Sequence, residues 1–208
     1  MNTLRFTSIL CSATLYSIAA QAEVVHFDDA KSGRLAPGWV AGLTGKGNPK
    51  WSVERDDSAP SKPNVLKQSG QGTYPWCVKK DVALRDGYVE VKFKPISGEE
   101  DQAAGLIWRW QDGDNYYVAR ANAIGENITI YHTLKGKRKE FKRVGAKVAA
   151  NEWHRLRVTF KGSHFTVALN GKKVMEWEDE TFKESGAVGV WTKADSVTLF
   201  DDFEFGAE

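Results

Sequence analysis

The sequence predicts an all-β fold, a two-sheet antiparallel jelly-roll sandwich with about a dozen strands and little helix. Residues 87–94 and 153–160 alternate between apolar and polar side chains, which is the period of a strand with one buried face. Turn signals separate such runs, and the strongest is Asn170-Gly171, because a tight type I′ hairpin needs positive φ at both central positions. No window keeps an apolar period of about 3.6 residues, so no long amphipathic helix is expected.

The N-terminal third is rich in loop signals and predicts only short strands. Residues 23–27 predict a first strand. Residues 39–53 mix Gly, Asn and Pro with large apolar residues, and they predict a loop followed by a strand around Trp51. Two more short strands are predicted at residues 64–67 and 76–78.

The densest stretch is residues 105–133, which predict three consecutive strands. Turn residues interrupt the stretch at 112–115 and 125–127, and both interruptions are hairpin signals. A basic strand at 137–144 follows. A short helical turn is expected at 181–185, and the remaining predicted strands are 165–169, 172–177, 186–191 and 197–205.

The N-terminus has the features of a secretory signal peptide, predicted to span residues 1–22. Arg5 supplies positive charge, residues 9–20 are apolar and small, and Ala20-Gln21-Ala22 fits the cleavage rule. Residues 23–208 then form a single domain, exported to the periplasm or the cell exterior. No membrane span is expected after removal of the signal.

Composition narrows the classes of partner. The formal net charge is +2, so neither a nucleic acid nor an anionic surface is indicated. After removal of the signal, Cys77 is the one remaining cysteine and cannot form an internal disulfide. All eight Trp lie in the predicted domain, which fits an aromatic core or a surface that stacks on sugars.

Four segments carry a resemblance to a known fold group. They are WRWQDGDNYYVARANA at 108–123, NEWHRLRV at 151–158, FTVALNGKKVMEW at 165–177, and GAVGVWTKADSVTLFDDFEF at 186–205. Together they resemble the concanavalin A-like lectin/glucanase superfamily, more narrowly laminin-G-like jelly rolls and the 3-keto-disaccharide hydrolase domain family. The resemblance implies a carbohydrate ligand, but lectins, hydrolases, lyases and adhesion modules share this scaffold.

The resemblance also implies a metal site. In many concanavalin A-like proteins the first and last strands meet at a calcium ion, and the corresponding acidic residues here are Asp28 and Asp202. A structural calcium is therefore expected, and no other cofactor is.

The sequence lacks the acidic motif that laminarinase-like glycosidases place on one strand face. The nearest acidic cluster, residues 99–101, lies between Pro and Gly signals and is predicted to be solvated loop charge. The sequence therefore leaves open whether the domain is an enzyme.

The candidate ligand site lies in the central stretch. Arg120 and Asn122 share one strand face and can bond to sugar hydroxyls, while rings stack on apolar sugar faces. Arg109 and His132 join them only if the strand register allows. The predicted ligand-binding set is completed by Trp108, Tyr116, Trp191 and Lys193, with a core position as the alternative for the two Trp.

Three functions fit these observations. The first is a lectin-like domain that binds a glycan. The second is a hydrolase or lyase of 3-keto-glycosides, in which His132 acts as base and Arg109 or Arg120 stabilises the negative charge. The third is a laminin-G-like adhesion module.

Overall fold

A computed structural model describes residues 22–207 of the chain. Fifteen strands form two antiparallel sheets, which confirms the predicted two-sheet sandwich. Residues 22–207 contain no helix, and so none that could cross a membrane. Except for Ala22, the predicted signal peptide lies outside the described residues and stays a prediction.

The strands follow one another closely along the chain. They are β1 (Glu23–Val25), β2 (Trp39–Asn48), β3 (Trp51–Arg55), β4 (Asn64–Gln68), β5 (Gln71–Leu84), β6 (Gly87–Ser97), β7 (Ala103–Asp112), β8 (Asn115–Asn122), β9 (Asn127–Leu134), β10 (Lys137–Gly145), β11 (His154–Lys161), β12 (His164–Leu169), β13 (Lys172–Glu178), β14 (Gly186–Trp191) and β15 (Val197–Gly206).

The two sheets differ in their strand order. The eight-stranded sheet runs β13-β12-β11-β6-β15-β4-β3, with β1 paired to β15. The seven-stranded sheet runs β10-β9-β8-β7-β14-β5-β2. Strands β7, β8 and β9, predicted from the central stretch, are neighbours within the seven-stranded sheet, so that stretch forms one continuous surface.

Apolar side chains from the facing sides of the sheets fill the layer between them. The predicted alternation places Val91 and Val158 inside, where both are fully buried. Trp108 stacks on Tyr117 with ring centroids 5.3 Å apart and meets Phe165 edge-on at 5.3 Å. Burial of this apolar layer is the main force that holds the sheets together.

The predicted Asn170-Gly171 hairpin is confirmed. Asn170 has a φ of 50° and Gly171 a φ of 79°, the left-handed values that a type I′ turn requires. The two residues join β12 to β13 directly.

The prediction of a loop before Trp51 is wrong, because residues 39–48 form the ten-residue strand β2. Glycine in this strand has a packing role rather than a loop role. Gly42 pairs with Trp76 of β5, and a Cβ atom at Gly42 would overlap the Trp76 indole. The glycine that suggested a loop therefore lets a large ring lie across a regular strand.

The predicted helical turn at residues 181–185 is also wrong. Phe182 packs its ring edge-on against Tyr117 at 5.0 Å, and its backbone N donates to the Tyr117 hydroxyl at 3.0 Å. The Asp179 carboxylate accepts hydrogen bonds from Thr181 N and from the Tyr117 hydroxyl at 2.8 and 2.5 Å. These tertiary contacts hold residues 181–185 as an irregular loop in place of a helical turn.

The seven-stranded sheet curls strongly around its outer face, the face turned away from the other sheet. Strands β10 and β5 are five positions apart, which corresponds to roughly 24 Å in a flat sheet. Nevertheless Arg138 Cζ of β10 lies 4.5 Å from the Tyr74 ring centroid of β5. Similarly, Thr44 Oγ1 of β2 lies 2.9 Å from the Tyr116 hydroxyl of β8. The curl makes this face a groove.

We expect Gly42→Ala to lower the free energy of unfolding by about 1–3 kcal/mol, because the added methyl group displaces the Trp76 indole. Urea denaturation measures the change. Gly145→Ala is the matched control, since no atom lies within 4 Å of the new methyl position, and its effect should stay within about 0.5 kcal/mol. Equal effects of the two substitutions would contradict the packing role of Gly42.

Candidate functional site

The groove is lined by aromatic rings that form a second apolar cluster, separate from the core between the sheets. Strand alternation brings rings to the outer face from β5, β8, β9 and β14, and a bulge in β7 brings Trp110 there. Tyr74 stacks on Trp191 with centroids 5.7 Å apart and planes 22° apart. The buried rings of the cluster are Trp76, Trp110, Tyr116, Tyr131 and Trp191.

A carboxylate shared by two cations lies on the same face. Asp101 Oδ2 is 3.3 Å from Arg120 Nη1 and 3.0 Å from Lys193 Nζ. The side chains of Asp101 and Arg120 are only 3% and 5% exposed, so both charges are buried. Among residues 22–207, Asp101 Oδ1 and Arg120 Nε have no hydrogen-bond partner. Such buried, unpaired polar atoms are costly unless a ligand or water bonds to them.

Neighbouring polar side chains hold Arg120 in position. Arg120 Nη2 donates to Asn127 Oδ1 at 3.0 Å, and the same oxygen accepts from Thr129 Oγ1 at 3.1 Å. Asn122 lies two residues further along β8, and its side-chain oxygen accepts from Ile124 N at 3.1 Å. Arg120 and Asn122 therefore share the outer face, in the arrangement that their spacing predicts.

The loop that carries Asp101 is anchored by Asp195. The Asp195 carboxylate accepts hydrogen bonds from the backbone N atoms of Glu99, Glu100 and Asp101 at 2.7, 3.1 and 3.1 Å. Burial alone would raise the pKa of Asp195. The three backbone donors outweigh burial, so its pKa lies below the ordinary value. Asp195 thus stays charged and fixes the position of Asp101.

A pocket of about 400 Å³ opens beside this group. Lys193 lines it and connects it to Asp101, and Tyr74 connects it to the aromatic cluster. Its volume is within the range of small-ligand sites. The full lining is Lys46, Gly47, Gln71, Gly72, Thr73, Tyr74, Glu100, Lys193 and Ala194.

Arg109 does not face the groove, and its assignment as a ligand-binding residue is corrected. The register between β7 and β8 shifts after Trp108, where Arg109 has a φ of 49°. The bulge turns the guanidinium towards the end of the sandwich. There it donates to the carbonyl oxygens of Arg85, Phe182 and Gly162 at 2.9, 2.8 and 2.6 Å. Arg109 thus links the three loops that contain these carbonyl groups.

His132 and Trp108 lie on the inner face, so their assignment to the ligand site is corrected as well. The β8–β9 register pairs His132 with Tyr117, whose ring lies in the core. His132 packs edge-on against Phe141 at 4.8 Å, and its Nδ1 lies 3.1 Å from Thr181 Oγ1. Burial holds the pKa of His132 below its ordinary value. A base at His132 would act on the wrong side of the sheet.

Tyr116 and Trp191 lie on the same sheet face as Arg120, and their assignment to a ligand site stays a prediction, as does that of Lys193. Tyr116 and Trp191 are fully buried on the outer face, and burial raises the pKa of Tyr116. Lys193 lies just beyond β14 and contacts Asp101. Asp101 itself is the residue that sequence reasoning missed, because residues 99–101 carry the composition of a solvated loop. No local sequence signal distinguishes a loop carboxylate that distant residues bury from one that stays in solvent.

The acidic residues expected to bind calcium have other partners. Asp202 Oδ1 lies 2.6 Å from His26 Nδ1, and its Oδ2 lies 2.6 Å from Lys92 Nζ. Asp28 Oδ1 accepts a hydrogen bond from Asn64 N at 2.9 Å. Among residues 22–207, no three His, Cys, Asp or Glu side chains are grouped to hold a metal ion. These side chains do not fit the expected calcium site, and we derive no role for the ion.

Several solved structures share the fold of this chain. The carbohydrate binding module CBM66 from Bacillus subtilis aligns with a TM-score of 0.66 at 16% identity, over 80% of this chain and 94% of that chain. A β-glucanase from Bacillus licheniformis aligns with a TM-score of 0.60 at 9% identity, over 92% of this chain and 99% of that chain. Identities this low show the fold alone, which is the concanavalin A-like sandwich.

The sequence itself places the chain more narrowly. Residues 26–205 match the family described as the 3-keto-alpha-glucoside-1,2-lyase-like domain, and the chain belongs to that family. The predicted resemblance is thus confirmed. No curated protein sequence matches the chain significantly.

We expect Asp101→Asn to lower the free energy of unfolding by about 3 kcal/mol, because it leaves the buried Arg120 without its counterion. Glu100→Gln is the matched control, since the Glu100 side chain is 72% exposed and should contribute less than about 1 kcal/mol. Chemical denaturation of both variants measures the difference. An Asp101→Asn variant as stable as the control would show that the carboxylate does not hold the two cations.

Proposed function

We propose that this chain is a carbohydrate-binding domain that holds a glycan at the outer face of its seven-stranded sheet. The observation that carries the proposal is the buried Asp101–Arg120–Lys193 group. It has unpaired polar atoms beside an aromatic pair, at a pocket of about 400 Å³. Membership of a sugar-directed family supports a carbohydrate as the ligand.

The pocket supplies the two kinds of contact that a pyranose needs. The Tyr74 ring, which stacks on Trp191, lines the pocket wall and offers apolar contact to the C–H groups of the sugar. Lys193 and Glu100 offer a donor and an acceptor for hydroxyl groups at the rim. Asp101 and Arg120 lie behind the pocket lining, and a water held there by the bound sugar would give their unpaired Oδ1 and Nε atoms a partner.

The proposal includes export to the periplasm or the cell exterior, where glycans are encountered. It rests on the leader-like composition of residues 1–22. The near balance of acidic and basic residues gives no reason to expect nucleic acid as a partner.

A second candidate function is a lyase that acts on 3-keto-glycosides. The family favours it, and so does Asp101, a carboxylate with one unpaired oxygen beside two cations. A 3-keto group acidifies the C2–H bond, so Asp101 can remove that proton while Arg120 and Lys193 stabilise the enolate. The enolate then expels the C1 oxygen, and C1=C2 forms as the ketone is restored. Water protonates the departing oxygen.

The adhesion alternative has no observation in its favour. An adhesion module would be expected to present a large apolar patch. Among residues 22–207, the exposed large apolar side chains are four aliphatic residues, Val24, Val40, Ile124 and Leu134.

We expect Tyr74→Ala and Lys193→Ala each to weaken glycan binding about tenfold or more, because they remove an apolar wall of the pocket and a rim donor. Calorimetric titration with α- and β-linked gluco-oligosaccharides measures the effect. Lys183→Ala is the matched control, since Lys183 is 64% exposed and pairs with Glu180 rather than with the pocket. Unchanged affinity in both pocket variants would place the binding site elsewhere.

The lyase candidate predicts release of nitrophenol from a p-nitrophenyl 3-keto-α-glucoside, followed by absorbance with divalent metals present. Asp101→Asn should slow release at least about a hundredfold, because it removes the base. Asp57→Asn should retain the wild-type rate, since the Asp57 side chain is 92% exposed and lies beside Arg55 rather than at the pocket. Circular dichroism checks that both variants are folded. No release by the wild-type protein would eliminate the lyase and leave the binding function to its own test.

A further inference from the structure

Arg138 crosses the mouth of the groove from its edge strand. Its Cζ atom lies 4.5 Å from the Tyr74 centroid, 4.4 Å from the Tyr131 centroid and 5.9 Å from the Trp191 centroid. These three rings come from β5, β9 and β14, so one guanidinium bridges the curled sheet. Arg138 thereby separates the open pocket at Tyr74 from the rings behind it.

Attraction to the ring faces is the main interaction that holds Arg138 in this place. Within the described residues 22–207, its Nη1 atom is buried and has no hydrogen-bond partner, and no carboxylate lies within ion-pair distance. An arginine at a surface normally finds a carboxylate or a carbonyl group for its five N–H donors. The Nη1 atom of the guanidinium is therefore shielded from solvent by ring contacts and has no hydrogen bond in return.

The position of Arg138 also allows it to leave. It belongs to β10, an edge strand that pairs only with β9 and whose residues are mostly exposed. Its side chain is partly exposed, in contrast to the fully buried Trp191 beneath it. Outward rotation would break no hydrogen bond of Nη1 and would restore its hydration.

We propose that Arg138 occupies a second sugar subsite, which a pyranose ring enters when the guanidinium rotates out. The inference rests on the proposed function, since it concerns the same glycan. The Arg138 guanidinium lies over the Tyr74 and Tyr131 rings and fills the space in which a sugar ring would lie. The first subsite is the pocket at Lys193, and the second lies over Tyr131 and Trp191.

This arrangement predicts an intrinsic competition between Arg138 and the ligand. A ligand that reaches only the first subsite binds without displacing Arg138. A longer ligand must displace Arg138. Its apparent association constant is then the intrinsic constant multiplied by the fraction of protein in which Arg138 has already rotated out. Cation–π contacts of ordinary strength correspond to a reduction of roughly two- to thirtyfold.

The test compares Arg138→Ala and Arg138→Lys with the wild-type protein and with Lys137→Ala. Lys137 is the neighbouring exposed cation of β10, so its removal controls for the loss of one charge. Acrylamide quenching of Trp fluorescence without ligand reports the exposure of Trp191. Calorimetry with glucose and with gluco-oligosaccharides of two to four units reports binding.

We expect Arg138→Ala to increase quenching and to tighten oligosaccharide binding about two- to thirtyfold while leaving glucose binding unchanged. Arg138→Lys should lie between Ala and wild type, because an ammonium group stacks less well on a ring. Lys137→Ala should match wild type in both measurements.

Weaker oligosaccharide binding by Arg138→Ala than by Lys137→Ala would overturn the proposal, because Arg138 would then contact the ligand directly. Unchanged quenching and affinity in a folded Arg138→Ala variant would also overturn it while leaving the proposed function intact. If neither the wild type nor any Arg138 variant binds sugar, the proposed function fails and the subsite fails with it.

Discussion

The curl of the seven-stranded sheet is the constraint on which the rest of the structure depends. A sheet that stayed flat would bury one face in the sandwich and leave the other in water. Here the curl brings β10 and β2 towards each other, and the outer face buries its own rings. Two apolar layers therefore share one sheet. The buried Asp101 carboxylate lies beside this second layer, and its partner Lys193 lines the solvent-open pocket.

Strand alternation allowed much of the fold to be predicted from the sequence. The faces of β8 and β9 follow directly from their side-chain period, so Arg120 and Asn122 could be placed together. The register between β8 and β9 could not be predicted from the sequence. In the structure this register pairs His132 with Tyr117 and places it on the inner face. A single bulge at Arg109 turns that residue away from the outer face. The same bulge places Trp110 on the outer face, although regular alternation would put it on the inner face with Trp108.

Asp101 marks the limit of local sequence reasoning about this site. The residues around it in sequence are those of a solvated loop. Its observed partners, Asp195, Arg120 and Lys193, all come from distant parts of the chain. The same group serves both candidate functions. In a binding domain it orients hydroxyl groups through fixed charges, and in a lyase its unpaired oxygen removes a proton. A ligand position can therefore be tested without first choosing between the two functions.

The most direct test of the central claim is NMR observation of the tryptophan indole N–H signals during titration with gluco-oligosaccharides. Trp191 supports the Tyr74 ring in the groove, whereas Trp153 lies at a separate pocket beside β11 of the other sheet. We predict that the Trp191 signal shifts in proportion to saturation while the Trp153 signal stays in place. A shift of Trp153 with Trp191 unchanged would contradict binding at the seven-stranded sheet.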